Sequence, residues 1–119
     1  MDYSYNPYEM QKRLDWRQEK KDMSNSTSKG TALVTGASRG IGAVYADRLA
    51  KRGYDLILVA RSEGPLKALS ASLASSSGRH ITPIVADLNN KIDLAKVETK
   101  LREDLSITML VNNAGTASA

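Results

Sequence analysis

The chain has no cysteine and no phenylalanine, and only one histidine, one tryptophan and three prolines among 119 residues. Without cysteine there is no disulfide framework, no thiolate metal site and no cysteine nucleophile; the expected setting is a reducing, cytoplasmic one. A single histidine cannot build a multi-histidine zinc site, so no resident metal is expected. No apolar run approaches the roughly 20 residues that a membrane helix needs. Concentrated charge is missing as well. The net charge is +4, with six basic groups against five acidic in residues 1–29 and eleven against eight in residues 30–119. Neither stretch holds a run of one sign, so neither nucleic acid nor a membrane surface is expected as a partner.

What is present divides at residue 29. Residues 1–29 are polar and charged and end in a Ser/Asn/Thr stretch. They lack the apolar segment of a secretory signal, and Asp2, Glu9, Asp15, Glu19 and Asp22 argue against a transit peptide. A helix over 9–23 is conceivable, but Met10 and Leu14 make an apolar stripe too thin to bury. The expectation is a mobile or loosely helical arm on a flexible linker at 24–29. The competing reading docks Tyr3, Tyr5, Tyr8 and Trp16 on a partner.

From Thr31 the pattern alternates. Thr31 to Thr35 is a short apolar, β-branched run stopped at Gly36. A helix is expected over 41–52, with Ile41, Val44, Tyr45 and Leu49 on one face and Gly53 just past its end. Leu56 to Ala60 is continuously apolar, as in a strand covered on both faces. Pro65 opens a second helix lined by Leu66, Leu69 and Leu73 and closed by Gly78. Ile81 to Ala86 reads as a third strand, which Pro83 assigns to an edge. Leu94, Val97, Leu101 and Leu105 stripe a third helix, and Ile107 to Val111 is a fourth strand.

Alternating elements of this length give parallel strands joined by right-handed crossovers. The expected fold is α/β, a Rossmann-like doubly wound sheet in the order 3-2-1-4 spanning residues 30–119 and reaching its fourth strand. That order independently places the Pro83 strand at an edge.

The chemistry lies in the turn after the first strand. Gly36, Gly40 and Gly42 in Thr35-Gly-Ala-Ser-Arg-Gly-Ile-Gly42 allow backbone to approach a pyrophosphate at a helix start. The spacing is neither G-x-G-x-x-G nor a P-loop, since no Lys-Ser/Thr pair follows the last glycine. An acidic residue near the end of the second strand would take a ribose 2′-hydroxyl. Here that stretch reads Val59-Ala-Arg-Ser62, with no carboxylate before Glu63. Arg61, with Arg39 nearby in the loop, suits a 2′-phosphate instead, so NADP(H) is expected over NAD(H).

With these motifs the sequence resembles the short-chain dehydrogenase/reductase family. Residues 35–42 match its T-G-x-x-x-G-x-G loop, Asp87-Leu88 its adenine-contacting pair, and Asn112-Asn-Ala-Gly115 its N-N-A-G element. The resemblance implies cofactor contacts at Gly36, Ser38, Arg39, Gly40, Ile41 and Gly42, at Asp87 and Leu88, and at Asn113, Ala114 and Gly115. It implies hydride transfer between a nicotinamide and a carbonyl or alcohol, in a full-length protein expected to be homo-oligomeric. The family's active-site Ser and Tyr-x-x-x-Lys pair follow the N-N-A-G element, so no catalytic residue is assigned among residues 1–119. Tyr8 and Lys12 match that spacing only in the polar arm, out of context. The expectation is therefore the cofactor-binding part of an oxidoreductase, its fourth strand left with an unpaired outer edge prone to association. The alternative is a short, non-catalytic dinucleotide-binding or interaction module.

Overall fold

The computed structural model describes Pro7, Met10, Gln11 and residues 29–113. Four strands, β1 (Thr31–Thr35), β2 (Asp55–Ala60), β3 (Ile81–Val85) and β4 (Ile107–Asn112), alternate with three helices, α1 (Gly40–Lys51), α2 (Glu63–Ser77) and α3 (Lys91–Glu103). The sheet is parallel throughout in the order β3-β2-β1-β4. This is the expected α/β, Rossmann-like arrangement, and Pro83 sits on the edge strand, where its missing N–H breaks no outer ladder.

Alternation along the strands sorts the core into two layers. Leu33, Ile57, Val59, Ile107 and Leu110 point to the α3 face and pack with Leu94, Val97 and Leu101. Ala32, Val34, Leu56, Leu58 and Ala60 point to the other face, with Ala46, Leu49 and Ala50 of α1 and Leu66 and Leu73 of α2. In β4 the alternation is interrupted by a bulge: Thr31 pairs with Ile107 but Ala32 with Met109, so Thr108 is the extra residue. That insertion is why Ile107 and Leu110, three apart, share a face.

Three expectations are corrected. The face α1 turns to the sheet is Gly42, Ala46, Leu49 and Ala50, while Ile41, Val44 and Tyr45 are 66%, 49% and 46% exposed. Small residues let the helix backbone lie close on β1 and β2, and the bulky residues are rotated outward. Leu105 does not extend the α3 stripe and is 67% exposed. Asp104 leaves the helix with extended backbone, and its carboxylate accepts the Ser106 N–H at 3.0 Å, turning the chain toward β4. Met10, placed on a stripe too thin to bury, is 0% exposed within the α3-face core. Apart from Pro7, Gln11 and Lys29, the other residues of the arm lie outside the described ones.

Element boundaries differ from expectation by one or two residues, as helix and strand ends commonly do. Pro65 falls at the third position of α2, still within the turn whose N–H groups have no helical partner. Gly78 closes α2 in the left-handed conformation. Among the described residues no helix is long and apolar enough to cross a membrane. No group of three or more His, Cys, Asp and Glu among them could hold a metal ion.

Candidate functional site

Parallel strands place all four strand ends at one edge of the sheet, and every sequence-derived candidate in the described residues follows a strand end. The glycine loop follows β1, Arg61 follows β2, Asp87 and Leu88 follow β3, and Asn113 follows β4. Ala114 and Gly115 lie outside the described residues.

Hydrogen bonds tie these ends together. The Ala37 N–H donates to Val59 O at 3.2 Å, holding the loop against the end of β2. The Ala86 N–H donates to Ala60 O at 2.9 Å, joining the ends of β2 and β3. Across the other side of β1, the Asn113 N–H donates to Thr35 Oγ1 at 3.0 Å and Asn113 Nδ2 donates to Gly36 O at 3.2 Å. The loop is therefore anchored on both neighbouring strands before any ligand enters.

Its glycines have distinct jobs. Gly40 opens α1 at φ +62°, a left-handed conformation costly for a side chain, although a Cβ there would meet open space. Gly42 has an ordinary conformation and no room: a Cβ would lie 2.2 Å from Gly36 O and 2.7 Å from Asn113 Nδ2. One glycine shapes the loop, and the other lets α1 pack on it.

The start of α1 is built to offer donors. Its N-cap, Arg39, makes no side-chain capping bond, and no acidic residue occupies the first turn. The contrast is α3, where Asn90 Oδ1 accepts from the N–H groups of Ile92 and Asp93 at 3.0 Å. The uncapped N–H groups and the positive end of the helix dipole at Gly40 fit a phosphate. Ser38 is half-buried beside them, and Arg39 is exposed.

At the end of β2, Arg61 is exposed and the first carboxylate after it is committed elsewhere. Glu63 pairs with Lys67 Nζ at 2.6 Å, one helical turn on. The hydrogen bond and charge of Lys67 hold the Glu63 carboxyl below the usual range, so it stays ionised and partnered. Among the described residues the Glu63 carboxylate pairs with Lys67 and not with Arg61.

At the end of β3, the Asp87 N–H donates to Asp93 Oδ2 at 2.9 Å, and Asp87 Oδ1 accepts the Asn89 N–H at 2.9 Å. Leu88 is buried in the α3-face core, so only its backbone can meet a ligand. Thr35 and Asp93 are the site-building residues that sequence reasoning did not single out. Thr35 lay within the quoted motif, but the role of Asp93 depends on a turn that brings residue 93 back to residue 87. His80 immediately precedes β3 and its backbone N–H donates to Asp55 Oδ1 at 3.0 Å; no group of three or more His, Cys, Asp and Glu among the described residues could hold a metal ion there.

Residues 30–119 match the family model described as short chain dehydrogenase. The very-long-chain 3-oxoacyl-CoA reductase of Coccidioides immitis is 40% identical over 99 residues, covering 80% of this chain and 28% of that protein. The bulky-bulky ketone specific alcohol dehydrogenase of Comamonas testosteroni superposes with a TM-score of 0.75 at 49% identity, over 78% of this chain and 37% of that one. A short-chain dehydrogenase from Sphingobium yanoikuyae, solved in complex with NADPH, gives 0.73 at 53% identity, over 76% and 35%. The chain thus spans between a quarter and two fifths of the length of these relatives. Matched in its glycine loop, its strand order and three quarters of its length, the chain belongs to the short-chain dehydrogenase family.

Proposed function

We propose that this chain is the NADP(H)-binding portion of an oxidoreductase that moves hydride between a nicotinamide and a carbonyl or alcohol substrate. The observation that supports the choice of cofactor is the junction of loop and β2. The Ala37–Val59 hydrogen bond draws the Arg39-bearing loop to a strand end whose next exposed side chain is Arg61. On this reading the guanidinium groups of Arg61 and Arg39 would take the 2′-phosphate, while Glu63 pairs with Lys67. Two related solved proteins, from Sphingobium yanoikuyae and Gluconobacter frateurii, were crystallised with NADPH, which is in keeping with this reading.

Bound NADPH would supply hydride. The residues of this chain would bind and orient it, with the pyrophosphate at the start of α1, the adenine near Asp87 and Leu88, and the 2′-phosphate on Arg61 and Arg39. No proton donor is assigned among residues 1–119, and the substrate class beyond a carbonyl or alcohol is left open.

The test is a calorimetric titration of the chain with NADPH and with NADH, for the wild type and Arg61→Ala. A charge-assisted contact of about 1.5–3 kcal/mol predicts a loss of roughly ten- to a hundredfold for NADPH and little change for NADH. Equal losses for both would remove the phosphate role from Arg61. Absence of binding to either by the wild type would favour a non-catalytic interaction module.

A further inference from the structure

Arg39 and Arg61 occupy matching places in the chain on either side of one hydrogen bond. The Ala37 N–H donates to Val59 O at 3.2 Å. Arg39 lies two residues beyond the donor, and Arg61 two residues beyond the acceptor. The bond comes just after the paired stretch of β1 and β2, where Gly36 turns the chain at φ +63°. Both arginine-bearing segments diverge from this point.

The size of residue 37 is what lets the two segments meet there. Ala37 is 0% exposed and is buried in the same cluster as Ala46 of α1 and Ala60 of β2. Small side chains thus fill the junction of loop, helix and strand end. An interior at native packing density has no void for the extra methyl groups of a valine. The surrounding elements are not free to give way. β2 is held by β1 on one side and by β3 on the other. α1 is already closed on the loop, which leaves no room for a Cβ at Gly42. The loop's first residue is tied by Asn113 Nδ2, which donates to Gly36 O at 3.2 Å. The segment that yields to a larger residue 37 is therefore 37–39 itself, and yielding lifts it from β2.

Resting on the NADP(H) reading above, we infer that Ala37 is a positioning residue for cofactor choice. Its small side chain lets the loop bond to the end of β2, and that bond sets the spacing of Arg39 and Arg61 so that one phosphate takes both. Ala37 acts through the two arginines and needs no contact with the cofactor. A spacing set before the ligand arrives lowers the ordering cost of binding.

The test is titration of the whole chain with NADPH, NADH and pyrophosphate, for the wild type, Ala37→Val, Ala37→Gly, Arg39→Ala, Arg61→Ala and the double arginine variant. Ala37→Val weakens NADPH about tenfold, the loss of one charge-assisted contact, and leaves NADH and pyrophosphate within about twofold. Ala37→Gly keeps both the N–H and the space, and with them the wild-type preference. The arginines are coupled through the shared phosphate, so the double variant loses less NADPH affinity than the product of the single losses. Without any cofactor, the Ala37 amide exchanges slowly in the wild type and at least about tenfold faster in Ala37→Val, while the Asn113 amide is unchanged.

Equal losses of all three ligands in Ala37→Val would overturn the inference, since residue 37 would then support the loop as a whole. An unprotected Ala37 amide in the wild type would overturn it, as would an Ala37→Val chain with the wild-type preference. If Arg61→Ala loses NADPH and NADH equally, the cofactor reading has failed and the role of Ala37 falls with it. A selective loss in Arg61→Ala with none in Ala37→Val would refute the role of Ala37 alone. If Ala37→Val does not fold, the arginine pair decides, because additive losses would overturn the shared spacing.

Discussion

The buried hydroxyl of Thr35 and the backbone of Asn113 close the gap between the first and fourth strands where the glycine loop begins. Thr35 Oγ1 accepts the Asn113 N–H at 3.0 Å and donates to Val111 O at 3.3 Å, and Asn113 Nδ2 answers by donating to Gly36 O at 3.2 Å. One hydroxyl thus serves as donor and acceptor in a fully buried position, and the loop carbonyl it stands beside is held from the same partner.

Thr35→Val keeps the shape and removes both bonds. The Asn113 N–H keeps Val111 O as an acceptor at 3.1 Å, so the cost is that of the lost bonds alone, about 0.5–1.5 kcal/mol each. Urea denaturation should show that loss, and Thr35→Ser should recover most of it. A Thr35→Val chain as stable as the wild type would mean that the hydroxyl is dispensable.

The glycines separate strain from crowding. Gly42→Ala puts a methyl against the Gly36 carbonyl, so loop or helix must move, and overpacking of this kind costs about 1–3 kcal/mol. Gly40→Ala has space but a left-handed φ, with a cost of about 1–2 kcal/mol. Gly64, in the first turn of α2 with nothing near it, is a different case: a Cβ there meets open space, but Pro65 disfavours helical backbone in a preceding residue that carries one, so Gly64→Ala should change stability by less than about 0.5 kcal/mol. Thermal unfolding of the three variants should give two losses and one near-neutral change.

Much of this was legible from residues alone. Pro83 marked the edge strand because a proline cannot donate outward, and the glycine loop marked the strand-to-helix turn because its spacing carries a mechanism. What escaped depended on contacts distant in sequence. Periodicity ranks α1 by bulk, so it chose Ile41, Val44 and Tyr45. The sheet selected Gly42, Ala46 and Ala50, because a close-packed helix needs small residues beneath it. Met10 looked unburiable because its partners, Leu33 and Leu110, are 23 and 100 residues away. Leu105 continued a helical stripe that Asp104 had already ended.

Asp104 also makes stability depend on pH. Burial raises its carboxyl, but hydrogen bonds from the Ser106 hydroxyl and N–H and the pairing with Lys100 outweigh that, so the pKa lies below the ordinary value. A depressed folded-state pKa contributes stability that is present above the unfolded pKa and lost as pH falls through the folded one. The Lys100 side chain is 41% exposed, which limits the contribution to less than about 1 kcal/mol. The stability gap between wild type and Asp104→Asn should be constant above about pH 5 and shrink below about pH 4. A gap that widens on acidification would contradict the assignment.

Asp93 holds the backbone at Asp87, where the proposed site would take the adenine. Asn90 caps α3 by accepting the Asp93 N–H, while the Asp93 carboxylate reaches past the cap to the Asp87 N–H at 2.9 Å. That bond fixes the backbone from which Asp87 and Leu88 would face a ligand. Asp93→Ala removes a charge-assisted bond and should cost about 1.5–3 kcal/mol of stability, less screening at a partly exposed group. Asp93→Asn keeps a carbonyl acceptor and should lose less than half as much. If Asp87 faces the adenine, NADPH binding should weaken several-fold in Asp93→Ala and much less in Asp93→Asn. Binding of a phosphate-only probe such as pyrophosphate at the start of α1 should be equal in all three. Equal losses of NADPH and pyrophosphate in Asp93→Ala would mean that the substitution disturbs the whole strand-end edge, and the assignment of Asp93 to the adenine end would fail.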